Sequence, residues 1–149
     1  MTTPPAPARP KYGPPISFDL AKHIITAAEA EAVAQGWPMV IAIVDSGCRL
    51  VILHRLDDAQ LGSIEVAQRK AETALNFKRP TKVLEDALVA GGPGMRLLSV
   101  ADVCMLEGGL PIMKDGAIIG AIGVSGMQSG QDAQVALAGL KVLQSVRQV

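Results

Sequence analysis

The spacing of apolar residues changes along the chain, and each change marks an element. From Phe18 to about Gln35, Leu20, Ile24, Ala27, Ala28 and Ala34 recur at helical spacing, with Ser17 placed to cap the start and Gly36 to end it. Val40–Val44 is apolar without alternation, which predicts a central strand covered on both faces. Asp45-Ser46-Gly47-Cys48 is a turn, and Leu50–Leu56 returns as an antiparallel partner because the connection is too short for a crossover. After the loop Asp57–Gln60, a second helix runs from about Gly62 to Asn76 with Ile64, Ala67, Ala71, Ala74 and Leu75 as its buried stripe. Pro80-Thr81 breaks it, and Thr81 is positioned to cap a shorter helix through Val83, Leu84, Ala87 and Leu88.

The second half begins with the Gly91–Gly94 loop and a helical turn or two over Met95–Ala101. Val103–Leu106 reads as a short strand leading into a hairpin: an apolar strand from Gly108, an Asp115-Gly116 turn, and a second apolar strand through Gly126. The last helix spans about Gln131 to Ser145. This order departs from the regular alternation of a parallel doubly wound sheet. It predicts an α+β fold, with helices against a five-stranded antiparallel sheet.

The hairpin's second strand carries Gly120, Gly123 and Gly126. Glycine weakens a strand, so three in one run require close approach, either of another backbone or of a flat ligand. The spacing only superficially matches a dinucleotide fingerprint, because the strand–turn–helix context is missing. No Walker A, zinc-protease or serine-hydrolase spelling is present.

Composition narrows the function further. The 149 residues suit one compact domain, residues 17–149, behind a Pro-rich arm, residues 1–16, expected to be flexible or extended. Tyr12, Phe18, Trp37 and Phe77 are the four aromatic residues, so Val, Ile, Leu and Ala must build the core. A formal net charge of zero gives no electrostatic reason to bind nucleic acid and leaves little self-repulsion against a homo-oligomer. Cys48 and Cys104 are too few for a disulfide framework and lack metal-site spacing. The N-terminus lacks a secretory apolar region and no run is long enough to span a membrane, so a cytoplasmic protein with no membrane partner is expected.

Several side chains are candidates for chemistry. Helical geometry places Ser63, Lys70 and Thr73 on a face adjoining the buried stripe of the second helix. Lys70 there either snorkels outward or points into a partly desolvated pocket as an acid, base or anion anchor. His54, Arg55 and Asp57 close the second strand, and His54 is either a ligand, a general base or a strand-end surface residue. Glu107, beside Gly108-Gly109, either faces a pocket or is solvated. Asp132 complements a helix dipole, which suffices to explain it. His23, at the edge of the first helix's polar face, is either an exposed helix residue or a ligand.

The segments Val40–Gly47, Leu53–Ala59, Ser63–Ala74, Gly108–Ile112 and Gly120–Gly126, in this order, resemble the GlcG/HbpS family, which is labelled haem-binding or haem-degrading and includes the C-terminal domain of PduO-type proteins. The resemblance implies profilin-like α/β/α layers and homo-oligomers from dimers to octamers. It also implies a place among catabolic operons and, in some members, haem or corrinoid-related partners. Where a PduO-type domain binds haem, a first-helix histidine is the ligand; His23 lies in the comparable helix and would hold the iron.

Three functions are therefore weighed. In the first, an interface pocket walled by Gly108, Gly109, Gly123, Ser125 and the Lys70/Thr73 face holds haem or another planar anionic ligand, with Lys70 or Arg55 pairing carboxylates and His23 or His54 on the metal. In the second, the same pocket isomerises, hydrates or hydrolyses a small oxidised organic acid without a cofactor, using Lys70, Glu107 or His54. A ligand-free assembly subunit is the third alternative.

Overall fold

The computed structural model describes residues 9–146. Its helices are α1 (Phe18–Gln35), α2 (Gly62–Phe77), α3 (Thr81–Val89), α4 (Ser129–Leu140) and α5 (Val142–Val146), with a 3-10 segment at Gly92–Ser99. Its strands are β1 (Val40–Asp45), β2 (Leu50–Arg55), β3 (Gly109–Lys114) and β4 (Ala117–Ser125). The sheet order is β2-β1-β4-β3, with every neighbour antiparallel.

The two central strands are buried nearly throughout, as their non-alternating sequences require. Ile41 and Ile43 of β1, with Ile122 and Val124 of β4, pack under Ile24, Ile25 and Ala28 of α1 and Val135 of α4. The opposite face, Val40, Ala42, Val44 and Ala121, meets Ala67, Ala71 and Ala74 of α2. The layering is therefore helix–sheet–helix, and small residues set how closely α2 sits.

The sheet has four strands, not five. Val103–Leu106 forms no ladder; the Cys104 N–H is taken by the Thr73 hydroxyl oxygen at 3.0 Å. A four-residue apolar run carries the same signal whether it pairs or lines a side chain. Thr81 also departs from expectation. Its hydroxyl does not cap α3 but turns inward, accepting the Gly109 N–H at 2.9 Å. The last helix is interrupted at Lys141.

Residues 1–8 of the arm lie outside the described residues. From Lys11 the chain runs along β4 in the place that β1 leaves beyond its Asp45–Gly120 pair. The Ile118 N–H donates to the Lys11 carbonyl (2.9 Å), the Gly13 N–H to the Ile118 carbonyl (2.8 Å), and the Ile16 N–H to the Ile119 carbonyl (2.9 Å). The Tyr12 hydroxyl donates to the Leu75 carbonyl at 2.8 Å, tying this segment to the end of α2.

Candidate functional site

Gly123 faces α2, and a Cβ there would fall on the Ala67 carbonyl and 2.5 Å from the Ala71 amide nitrogen. At Gly109 it would strike the Lys70 carbonyl, and at Gly120 the Val44 carbonyl. The glycines thus serve close approach of backbone to backbone, not of a flat ligand. The face of the hairpin expected to help wall an interface pocket is, at Gly109 and Gly123, covered by the protein's own α2.

Lys70 lies beneath that contact. Its ammonium donates to the Val124 carbonyl and to Asp132 Oδ2, both at 2.9 Å, with the two side chains 2% and 3% exposed. Asp132 Oδ1 accepts the Met127 N–H at 3.0 Å. Burial pushes the Asp132 carboxyl above its ordinary value; the hydrogen bonds from Lys70 and Met127 pull it back. Gly108 covers the pair at φ 131°, where a Cβ would come within 2.9 Å of Lys70 Nζ. Lys70 is neither an anion anchor nor a snorkelling cation: its charge is spent inside the fold. Asp132, explained above by the helix dipole alone, is its partner. A buried lysine demands an anion, but a 62-residue separation hides which one.

Ser63 and Ser125 join this interior seam, with the Ser125 hydroxyl donating to Ser63 Oγ at 3.0 Å. Thr73, also buried, is engaged with Cys104. The Glu107 N–H donates to Glu85 Oε2 at 3.2 Å, while Glu107 lines a surface depression with Gln134, Leu137 and Lys141. Burial raises the Cys104 and Cys48 thiols above their ordinary values, which disfavours thiolate chemistry at either. Ser63, Lys70, Thr73, Gly108, Gly109, Gly123 and Ser125 are brought together, but as a closed structural seam.

The other candidates lie apart from it. His54 faces α1, its buried Nδ1 without a hydrogen-bond partner and 3.5 Å from Glu29 Oε2. Arg55 is exposed, and Asp57 borders a hollow shared with Glu29, Trp37 and Asp58.

His23 is on the solvent side of α1, 63% exposed. Its Nδ1 lies 2.7 Å from the Asp19 carbonyl, one turn earlier, and 3.7 Å from Asp19 Oδ2. With the carbonyl as acceptor, Nδ1 carries the proton and Nε2 presents a lone pair. Thr26, Ala27 and Ala30 follow at three, four and seven residues, hence on the same face, and with Lys22 they border a shallow depression of about 520 Å³. The helix thus offers an oriented nitrogen donor beside a floor of small side chains.

This helix–sheet–helix architecture, with an antiparallel sheet and a donor-bearing first helix, defines a class. A family model described as haem degrading protein HbpS-like matches residues 16–141, and the chain belongs to that family. GlcG of Escherichia coli K12 is 40% identical over 110 residues, covering 74% of this chain and 81% of GlcG. The crystal structure of a PduOC–haem complex superposes with a TM-score of 0.77 at 30% identity, covering 85% of this chain and 94% of that one. The crystal structure of HbpS superposes with a TM-score of 0.80 at 30% identity, covering 89% and 93%. Among the described residues, no helix is long and apolar enough to cross a membrane.

Proposed function

We propose that this protein binds haem on the outward face of α1, with His23 Nε2 as the iron ligand and a second copy of the chain closing the site. The observation that carries this reading is the His23–Asp19 hydrogen bond: it leaves the outer nitrogen free above an apolar, small-residue floor. Histidine is the usual proximal ligand, and the small side chains of Thr26, Ala27 and Ala30 let a flat macrocycle approach the helix. Lys22, on the same face, supplies a cation for a propionate. A shallow surface covers only one side of such a ligand, which is why a second protomer belongs to the site. Haem iron, when bound, supplies redox chemistry that none of these side chains has.

Membership of the HbpS-like family and the haem complex of the PduOC relative support this choice of ligand. The cofactor-independent enzyme would draw its acid–base group from Lys70, Glu107 or His54. With the Lys70 ammonium held by Asp132 and Val124, that reading loses its leading residue.

Haemin titration followed at the Soret band tests the proposal. Wild type should show a saturable red shift with a Kd on the order of 1 μM, about 8 kcal/mol of binding. His23→Ala should lose the shift. A wild type with no saturable change, or a His23→Ala variant that titrates identically, refutes it.

A further inference from the structure

The geometry points to Asp19 as the positioning residue that locks His23 in its Nδ1–H tautomer and strengthens Nε2 as a metal donor. This rests on the haem reading for its consequence, but not for the tautomer itself. Asp19 and His23 are one helical turn apart, so the Asp19 carbonyl and the imidazole share one strip of surface. The 2.7 Å contact is short for a nitrogen–oxygen hydrogen bond, and because a carbonyl can only accept, the imidazole nitrogen must donate. The tautomer is thereby set by the backbone. The carboxylate of the same residue, 3.7 Å from Nδ1, adds a negative charge beside the nitrogen that carries the proton. Such a charge favours a ring that gives electron density through its outer nitrogen.

The two parts of Asp19 do separable work. The carbonyl fixes orientation and proton position whatever the side chain is. The carboxylate adds donor strength, and its influence is greatest on the more highly charged ferric iron. Other titratable groups are disposed differently: Lys22 is drawn toward the Phe18 ring, 5.1 Å from its centroid, and His54 Nδ1 lies 3.5 Å from Glu29 Oε2 on the β2 side of α1.

Two measurements test this. The first uses the haem-free full chain, with long-range proton–nitrogen NMR of the histidines at about pH 8.5, above the ordinary imidazole range. His23 should be predominantly protonated at Nδ1, in wild type and in Asp19→Asn alike. Predominant protonation at Nε2 overturns the proposal whether or not haem binds. The second compares haem binding by wild type and Asp19→Asn in both oxidation states. Ferric affinity should fall about threefold to tenfold, at or below the low end of second-shell effects because the carboxylate is exposed. Ferrous affinity should change little, so the reduction potential of the bound haem rises. Equal ferric affinity and an unmoved potential overturn the carboxylate's role. Should wild type bind no haem at all, the ligand reading fails and the proposed donor strengthening fails with it, while the NMR result still decides the tautomer.

Discussion

Replacing Lys70 by Met removes a charge from the least exposed ion pair among the described residues while keeping similar length and helix propensity within α2. What remains is Asp132, 3% exposed, with only the Met127 N–H, and a Val124 carbonyl stripped of the Lys70 donor. Breaking a buried pair from one side costs about 3–5 kcal/mol, most of it the penalty for the orphaned charge. At roughly 2–4 °C per kcal/mol for a chain of this size, the midpoint of thermal unfolding should drop on the order of 10 °C. The loss should depend on pH, with a definite sign. Burial already lifts the Asp132 carboxyl above its unfolded value of 3.8, and Lys70 opposes that lift. Without Lys70 the native pKa climbs further. A carboxyl with a raised native pKa contributes stability that is fully present below the unfolded value and lost as pH rises through the native one. The deficit of Lys70→Met relative to wild type should therefore be widest at neutral pH and narrow on acidification. Lys70→Met/Asp132→Leu should recover the part of the loss due to the orphaned charge, but not the part due to the Val124 carbonyl and the Met127 N–H, both still without their partners. Urea unfolding followed by circular dichroism at several pH values measures all of this. A single variant within ~1 kcal/mol of wild type at neutral pH would refute the reasoning, because no buried charge that is orphaned can be so cheap.

Gly123→Ala should destabilise by about 1–3 kcal/mol, since its Cβ would force α2 off the sheet at Ala67 and Ala71; an unchanged urea midpoint would mean that this backbone contact is looser than described. Thr81→Val keeps the shape but leaves the buried Gly109 N–H without its acceptor, for a loss of about 1–3 kcal/mol, whereas Thr81→Ser should retain most of the bond. Hydrogen exchange at Gly109 separates the two, and equal protection in both variants would count against the bond.

Local patterns in the chain predict much of the fold. The non-alternating run Val40–Val44 marks a strand covered on both faces, and Asp115-Gly116 marks a hairpin turn whose residues adopt φ 52° and 77°. Tertiary partnerships are harder to read. The spacing of α2 puts Lys70 beside the buried stripe, yet whether it turns in or out depends on a carboxylate delivered by the chain after β4. There Gly126, at φ 156°, lets the backbone swing toward α4. The glycine ribbon shows the same limit. Spacing requires close approach at Gly123, but a backbone and a planar ligand impose the same demand on side-chain size, and only the packing of α2 decides between them. Asp19 and His23 stand four apart in the sequence, but that spacing does not say which imidazole nitrogen the helix leaves free.

A sealed seam at Lys70 changes where a ligand can be sought. The polar groups between α2 and β4 satisfy one another, so admitting an anion would first require breaking the Lys70–Asp132 pair, at a penalty of several kcal/mol that few small ligands return. The outer face of α1 carries no such penalty. Thr26, Ala27 and Ala30 border the solvent-side depression there, and Phe18 and Val33, near the two ends of the same helix, are 57% and 65% exposed. The opposite side of α1 is already committed to the core through Ile24, Ile25 and Ala28. A helix with apolar residues on both faces has more surface to cover than one monomer covers. On the proposed reading, a planar macrocycle held by His23 and a second protomer would together bury that excess.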